Sequence, residues 1–259
     1  MESDKIYNMD GLESDKIYNI DCLEGMKQIP DGSIDAIICD LPYGTTANKW
    51  DSIIPLDQLW AQYKRIIKRG APIILFAQCP FDKILGCSNL DWLKYEWIWE
   101  KEKGTGWLNA KQEPMRKHET ILVFYNSLPT YNPQMRPGTA YSKGQTGASS
   151  NYGKVRDDIV TKMGDERYPE SILHFTRDTQ NGQAEAIHPT QKPVDLLRYL
   201  IRTYSNEGDT ILDNCMGSGT TAVACIKEKR HFIGFELNKQ YFDKACQRID
   251  AERRQLTLF

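Results

Sequence analysis

The sequence predicts an α/β fold built on a mostly parallel sheet. Short apolar runs alternate with segments whose apolar residues recur at helical spacing, a pattern typical of strands joined by helices. Residues 34–39 form a largely apolar run, which is typical of a strand buried on both faces of a parallel sheet. In residues 210–229 a predicted strand, a glycine-containing turn and a predicted helix follow one another, as in a strand–turn–helix unit.

The composition indicates a globular protein with one substantial core. The chain has 259 residues, of which 40% are apolar, and 33 basic residues nearly balance 35 acidic ones for a net charge of −2. These values exclude a disordered chain and a disulfide-stapled miniprotein. The near-neutral balance also excludes binding of nucleic acid by bulk charge, although it allows a local basic patch.

Cysteine usage and hydropathy indicate the compartment. The seven cysteines are odd in number and form no Cys-x-x-Cys pair, and the N-terminal segment is polar and acidic. No run approaches the ~18–20 apolar residues that span a bilayer. We therefore predict a cytoplasmic protein with free thiols, no membrane partner and, given only four histidines, no metal site.

The first half of the chain begins with a repeat. The peptide ESDKIYN occurs at residues 2–8 and again at 13–19. We predict that residues 1–12 are a duplicated arm that packs poorly, and that residues 13–126 form the first half of the domain. In this half the predicted strands are 16–20, 34–39, 71–77, 95–99 and 120–125, and the predicted helices are 22–28 and 56–68.

Residues 127–186 differ in character from the rest. They are rich in Gly, Pro, Ser, Thr, Asn and Gln, show no strong period of 2 or 3.6, and interleave basic residues with tyrosines. This composition suits phosphate contacts and base stacking. A solvated surface insertion explains it equally well.

Residues 187–259 return to the α/β pattern. The predicted helices are 193–204, 220–229 and a charged terminal helix from residue 239, and the predicted strands are 210–212 and 231–236. Pro193 takes a favoured position in the first turn of its helix.

The first motif lies in this last segment. Asp213 ends a predicted strand, Gly217 and Gly219 lie in the turn, and Glu236 ends the next strand. Glycines let the backbone approach a ligand, the helix start offers unpaired N–H groups, and a carboxylate can accept hydrogen bonds from both ribose hydroxyls. The motif predicts a nucleoside-cofactor site. It also fits a relaxed dinucleotide pattern, so NAD stays open, as does a purely structural turn.

The second motif is Asp40-Leu41-Pro42-Tyr43 after the apolar run at 34–39. An ionised Asp40 and the Pro42 carbonyl can only accept hydrogen bonds, and Tyr43 offers a stacking face for an extruded base. Two such acceptors can hold the hydrogens of a nucleobase amine. Taken alone, the tetrapeptide is more simply an Asp-x-Pro turn at the end of a strand.

The third motif, HPTQKP at residues 188–193, opens a predicted helix. Helix N-termini favour anions, and Lys192 strengthens that preference. An ordinary helix start explains the motif as well.

DLPYG, HPTQKP and DNCMGSGTT, in this order, resemble the amino-group DNA methyltransferases that use S-adenosylmethionine, in their beta motif arrangement. The resemblance implies a Rossmann-like methyltransferase fold whose mostly parallel, seven-stranded sheet is circularly permuted. It makes residues 13–126 the catalytic half, 127–186 an inserted target-recognition region and 187–259 the cofactor-binding half. It further implies double-stranded DNA as partner and is compatible with a homodimer and a cognate restriction endonuclease.

The resemblance also implies roles for individual residues. Asp40, Pro42 and Tyr43 would be catalytic, with Leu41 in place of the second proline of many relatives. The residues implied in cofactor binding are Asp21, Cys22, Asp40, Thr190, Lys192, Asp213, Gly217, Ser218, Gly219, Thr220 and Glu236. The candidate phosphate contacts are Arg116, Lys117, Lys143, Lys154 and Arg156.

Together these features predict site-specific methylation of adenine N6 in an extruded base, because Asp at the first motif position resembles adenine enzymes. The amine attacks the methyl group directly, so no cysteine nucleophile is needed, and we expect Cys39 and Cys215 to be packing residues. The alternatives are methylation of cytosine N4, a nicotinamide-dependent oxidoreductase, and a DNA-binding module without catalysis.

Overall fold

The structure is a computed structural model that describes residues 12–44, 51–144, 160–176 and 191–256. The described residues form two compact units. The larger contains the residues up to Asn132 and those from Ser171 onward, and the smaller is Pro133–Glu170. The predicted arm at residues 1–12 falls outside the described residues except for its last residue.

Twelve strands and six helices alternate along the described chain. The strands are β1 (Lys16–Tyr18), β2 (Ala36–Asp40), β3 (Ile73–Ala77), β4 (Leu93–Thr105), β5 (Arg116–Phe124), β6 (Arg136–Pro137), β7 (Tyr141–Gly144), β8 (Val160–Met163), β9 (Glu166–Arg167), β10 (Ile172–His174), β11 (Thr210–Asp213) and β12 (His231–Phe235). The helices are α1 (Cys22–Met26), α2 (Leu56–Ile66), α3 (Phe81–Cys87), α4 (Val194–Tyr204), α5 (Thr220–Lys227) and α6 (Lys239–Leu256).

The larger unit is organised by one sheet of strand order β1-β12-β11-β2-β3-β5-β4-β10. Every neighbouring pair is parallel except β3–β5 and β4–β5, where β5 runs antiparallel. The predicted α/β fold with a mostly parallel sheet is therefore confirmed. The predicted count of seven strands is wrong, because β10, within the range predicted as an insertion, pairs with β4 and adds an eighth strand.

Helices cover both faces of this sheet. One apolar core includes Met26 of α1, Tyr63 of α2 and Phe81 of α3, and the other includes Leu200 of α4 and Ala224 of α5. Successive residues of β2 alternate between the two cores, and all five residues of β3 are buried. This double burial explains why these strands are apolar on both sides.

Several elements differ from the sequence prediction. Helix α3 was not predicted, and β4 extends well past residue 99 to Thr105 as one arm of a long hairpin. In the smaller unit, where the sequence showed no period, β6 pairs with β9 and β7 with β8 as two short antiparallel ribbons. None of the helices in the described part of the chain combines the length and apolar character that crossing a bilayer requires.

Candidate active site

A cavity of about 500 Å³ lies in the larger unit, at the edge where the parallel strands end. Asp40 and Asp213 are the last residues of β2 and β11, and Glu236 follows β12, so the sheet brings all three to this edge. Because β5 is antiparallel, its first residues reach the same edge, and Glu119 joins the lining. The cavity therefore contains both the Asp40–Tyr43 turn and the glycine turn at 217–219.

The Asp40–Tyr43 turn is fixed by hydrogen bonds. The Tyr43 hydroxyl donates to Asp40 Oδ1 at 2.6 Å, and the backbone N–H groups of Tyr43 and Gly44 both donate to Asp51 Oδ1 at 2.8 Å. The Tyr43 ring stacks on Phe81 with ring centroids 5.6 Å apart. These contacts preorganise the turn, while the Asp40 side chain remains 25% exposed and thus accessible from the cavity.

A row of buried charges leads away from Asp40. Lys192 Nζ lies 2.5 Å from Asp40 Oδ2 and 3.1 Å from Glu119 Oε2, and Lys101 Nζ lies 3.4 Å from Glu119 Oε1. The side chains of Lys192, Glu119 and Lys101 are only 7%, 9% and 3% exposed. Signs alternate along the row, so each buried charge has an opposite neighbour, without which burial would be costly.

These neighbours determine the pKa values of the row. Burial raises the pKa of Asp40 above its ordinary value, although the ammonium of Lys192 opposes this. Burial would also raise the pKa of Glu119, but the two lysines outweigh it and hold that pKa below its ordinary value. Lys192 keeps a raised pKa because its two carboxylate neighbours outweigh burial, so it is a permanent cation in the site.

The glycine turn forms the opposite wall. Gly217 and Gly219 have φ values of +54° and +76°, in the region that favours glycine. A Cβ on Gly219 would lie 3.2 Å from Ala245 Cβ, so α5 and α6 approach closely there. The Gly217 N–H donates to Glu236 Oε2 at 2.8 Å, and the Asn238 N–H donates to Glu236 Oε1 at 2.7 Å.

The carboxylates of this wall are buried. Asp213 accepts from the Thr221 hydroxyl at 2.5 Å and from the Cys215 N–H at 3.0 Å, and burial raises its pKa to about 6. Burial also raises the pKa of Glu236. Asp21 caps α1 by accepting from the N–H groups of residues 23 and 24, and it lines the cavity beside Cys22. Three carboxylates on one wall suit a ligand that carries positive charge.

The cysteines near this wall are poor nucleophiles. Burial raises the pKa of Cys39 to about 12, and contacts with neighbouring thiols together with burial raise those of Cys22 and Cys215. Cys39 lies in the apolar core, and Cys215 packs against it. Both are neutral packing thiols under ordinary conditions.

The structure places most of the predicted site residues around this cavity. Those that line it are Asp21, Cys22, Asp40, Pro42, Tyr43, Lys192, Asp213, Gly217, Ser218, Thr220 and Glu236. Gly219 precedes α5 as its N-cap residue. Thr190 lies outside the described residues.

The predicted DNA contacts are spread along the chain. Arg116 and Lys117 begin β5 and pair with Glu113 at 3.7 Å and Glu100 at 2.5 Å. Lys143 belongs to β7 in the smaller unit. Lys154 and Arg156 lie outside the described residues.

Two site residues escaped the sequence analysis. Glu119 opens the apolar stretch 120–124 of β5, and a charged residue directly before a buried strand was the available signal. Its place in the cavity depends on the antiparallel direction of β5, which the sequence does not encode locally. Asp51 holds the turn from eight residues beyond Tyr43 and had no distinguishing pattern.

A family model described as DNA methylase, N6_N4_Mtase, matches residues 34–247. The chain belongs to this N6/N4 DNA methylase family. The resemblance drawn from the three motifs is thereby confirmed, and the nicotinamide-dependent oxidoreductase is excluded. The DNA adenine methyltransferase YhdJ of Escherichia coli (strain K12) is 27% identical over 238 residues, covering 87% of this chain and 79% of that protein. The type II methyltransferase M1.MboII of Moraxella bovis is 29% identical over 245 residues, covering 85% and 90%.

Solved structures of DNA methylases share the fold. The M1.HpyAVI–SAM complex has a TM-score of 0.60 at 23% identity, covering 90% of this chain and 98% of that chain. The cytosine-N4-specific PvuII DNA methyltransferase has a TM-score of 0.66 at 15% identity, covering 95% and 93%. S-adenosylmethionine is the cofactor of this DNA methylase, as predicted. The site fits it, because a glycine turn and three carboxylates suit a nucleoside that carries positive charge.

Proposed function

We propose that this DNA methylase transfers the methyl group to N6 of adenine in a base turned out of duplex DNA at a specific sequence. One observation carries the proposal: a single cavity is lined both by the Asp40–Tyr43 turn and by the glycine turn with Glu236. An extruded base and a nucleoside cofactor therefore have adjoining places. The Asp at position 40, which resembles adenine enzymes, and the likeness to YhdJ favour adenine.

In the proposed mechanism, Asp40 and the Pro42 carbonyl accept the two hydrogens of the base amine, which directs its lone pair toward the methyl group. Tyr43 and Lys192 each occupy one oxygen of Asp40, yet an ionised carboxylate offers about four lone-pair positions, so acceptor capacity remains. Bound S-adenosylmethionine supplies a methyl group on positively charged sulfur, which the amine displaces directly. Asp40, whose pKa burial has raised, is placed to take the proton that the amine loses.

On the cofactor side, we assign the ribose hydroxyls to Glu236, the adenine ring to the neighbourhood of Asp21 and Cys22, and the methionine portion to Asp213 and the glycine turn. Glu236 already accepts two backbone N–H groups, which aim its remaining lone pairs. Lys192 bridges Asp40 and Glu119, so we assign it to the base side rather than to the cofactor carboxylate.

We assign target recognition to residues 127–186, with the circularly permuted motif order of the beta arrangement. The smaller compact unit, Pro133–Glu170, falls within this range and contains Lys143. Arg116, Lys117, Lys143, Lys154 and Arg156 are the proposed phosphate contacts. The printed name of M1.MboII, a type II methyltransferase, favours a role beside a cognate restriction endonuclease.

The test uses the full chain, S-adenosylmethionine with a labelled methyl group and unmethylated plasmid DNA, followed by digestion to nucleosides and mass analysis. We expect labelled N6-methyladenine, and sequencing of the product locates the site. N4-methylcytosine would contradict the base assignment while leaving the reaction class in place. The absence of any labelled base would contradict the proposed function as a whole.

Asp40→Ala provides the residue-level check. We expect it to lower methyl transfer by at least about 100-fold, because a preorganised acceptor at the reacting amine is lost. Binding of S-adenosylmethionine, measured by calorimetry, should persist, since Asp40 lies on the base side. Turnover like that of the unaltered chain would rule out the proposed role.

A further inference from the structure

The hairpin of β4 and β5 projects from the edge that carries the cavity. Glu119 of β5 lines the cavity, and three residues earlier Arg116 pairs with Thr105, the last residue of β4. Strand geometry places that pair about 10 Å beyond Glu119. The connecting segment 106–115 extends further still, so the end of the hairpin flanks the site assigned to the base.

The end of this hairpin exposes large apolar side chains. Trp107 and Leu108 are 72% and 77% exposed, and Met115 is 44% exposed. A single 3-10 turn, Trp107–Asn109, presents the first two, and it begins after Gly106 at φ +89°. An aromatic and a leucine side chain held together in water at the tip of a hairpin suggest a surface that a partner covers.

The charge of the same segment identifies the chemistry of that partner. Residues 102–117 contain four basic and two acidic residues, whereas the whole chain has a net charge of −2. Arg116 and Lys117 are about half exposed at the base of the hairpin. A cationic arm with an apolar tip complements the phosphates and stacked bases of a duplex.

We propose that Trp107 and Leu108 form a wedge that enters duplex DNA at the target base pair and occupies the space that the extruded base leaves. The inference rests on the proposed function, since it presupposes a base in the cavity. Extrusion loses the stacking of the target base, and an apolar side chain inserted between the flanking bases offsets that loss. The cavity then holds the base, and the hairpin, continuous with the cavity wall through β5, keeps the duplex open.

The test compares two oligonucleotide duplexes that carry the methylation site located by sequencing. In one the target base is normally paired, and in the other it lies opposite a mismatched base, which lowers the cost of extrusion. The variants are Trp107→Ala and Leu108→Ala. Leu90→Ala is the matched control, because Leu90 is 63% exposed in the loop before β4, at the end away from the hairpin tip.

We expect both tip variants to lose at least about tenfold in kcat/KM on the paired duplex, as expected for loss of base stacking. On the mismatched duplex they should come within about threefold of the unaltered chain, because extrusion there needs less help. Leu90→Ala should match the unaltered chain on both duplexes. Affinity for S-adenosylmethionine should be the same in all four proteins.

Each other outcome has a definite meaning. Unchanged kcat/KM of both tip variants on the paired duplex overturns the wedge, and so does an equal loss on both duplexes, which would make the tip an ordinary DNA contact. In either case methylation by the unaltered chain leaves the proposed function intact. If the unaltered chain methylates neither duplex nor plasmid DNA, the proposed function fails, and the wedge fails with it.

Discussion

At Asp40, burial and hydrogen bonding act in opposite directions. Burial favours the protonated carboxyl, which could no longer accept both hydrogens of an amine. Lys192 and the Tyr43 hydroxyl favour the ionised form, and Glu119 in turn keeps Lys192 in place. The proposed reaction therefore depends on a charge that its neighbours only partly stabilise.

This balance predicts the pH dependence of the reaction. The ionised form of Asp40 is the active one, so the single-turnover rate should fall as pH drops through its raised pKa. Lys192→Gln removes the main charge that lowers this pKa, and the acidic limb should move to higher pH by about one unit or more.

Lys192→Arg keeps the charge and should retain an acidic limb close to that of the unaltered chain. Lys83→Gln is the surface control, since Lys83 is 75% exposed and pairs with Asp82 outside the cavity. A limb that stays in place in Lys192→Gln would mean that another group titrates.

At the scale of the element, the glycine turn combines two constraints that can be separated. Gly219 has φ +76° and also faces Ala245 at 3.2 Å, whereas Gly32 has φ +59° with open space around its missing Cβ. Alanine at either position adopts a left-handed conformation that costs about 1–2 kcal/mol. Only at Gly219 does the new methyl group also push α5 away from α6.

We therefore predict that Gly219→Ala and Gly32→Ala both lower the thermal midpoint, and Gly219→Ala lowers it more. Gly219→Ala should also lose affinity for S-adenosylmethionine by about tenfold, equivalent to ~1.4 kcal/mol, because the turn at the cofactor wall shifts. Gly32→Ala should bind the cofactor like the unaltered chain. Equal affinities in calorimetry would show that the turn tolerates the shift.

The elements also show what local sequence can reveal about the site. Asp40, Asp213 and Glu236 were identifiable because each follows an apolar strand, and parallel strands end at one edge. Glu119 was not, because its position depends on β5 running antiparallel, which pairing with β3 and β4 decides. Helix α3 was missed for a related reason: at seven residues, it is too short for a clear period.

At the scale of the whole molecule, the chain is anchored on both sides of the smaller unit. The Asn132 backbone N–H donates to the Thr203 carbonyl at 2.7 Å, and β10, just after Ser171, pairs with β4. Composition could not show that residues 172–174 belong to the main sheet, because a three-residue strand carries almost no pattern. These anchors make Pro133–Glu170 a segment that can be exchanged without removing a strand of the main sheet.

Replacing Pro133–Glu170 with a flexible Gly/Ser linker of equal length separates recognition from catalysis. The larger unit keeps all eight strands and the whole cavity lining, so affinity for S-adenosylmethionine should stay within about twofold, and the cofactor should still raise the thermal midpoint. Methylation at the target sequence should fall by at least about 100-fold, because contacts that distinguish a specific site from other DNA are worth several kcal/mol. Retained methylation at the same sequence would place recognition in the larger unit, and the β4–β5 hairpin would then be the first segment to test.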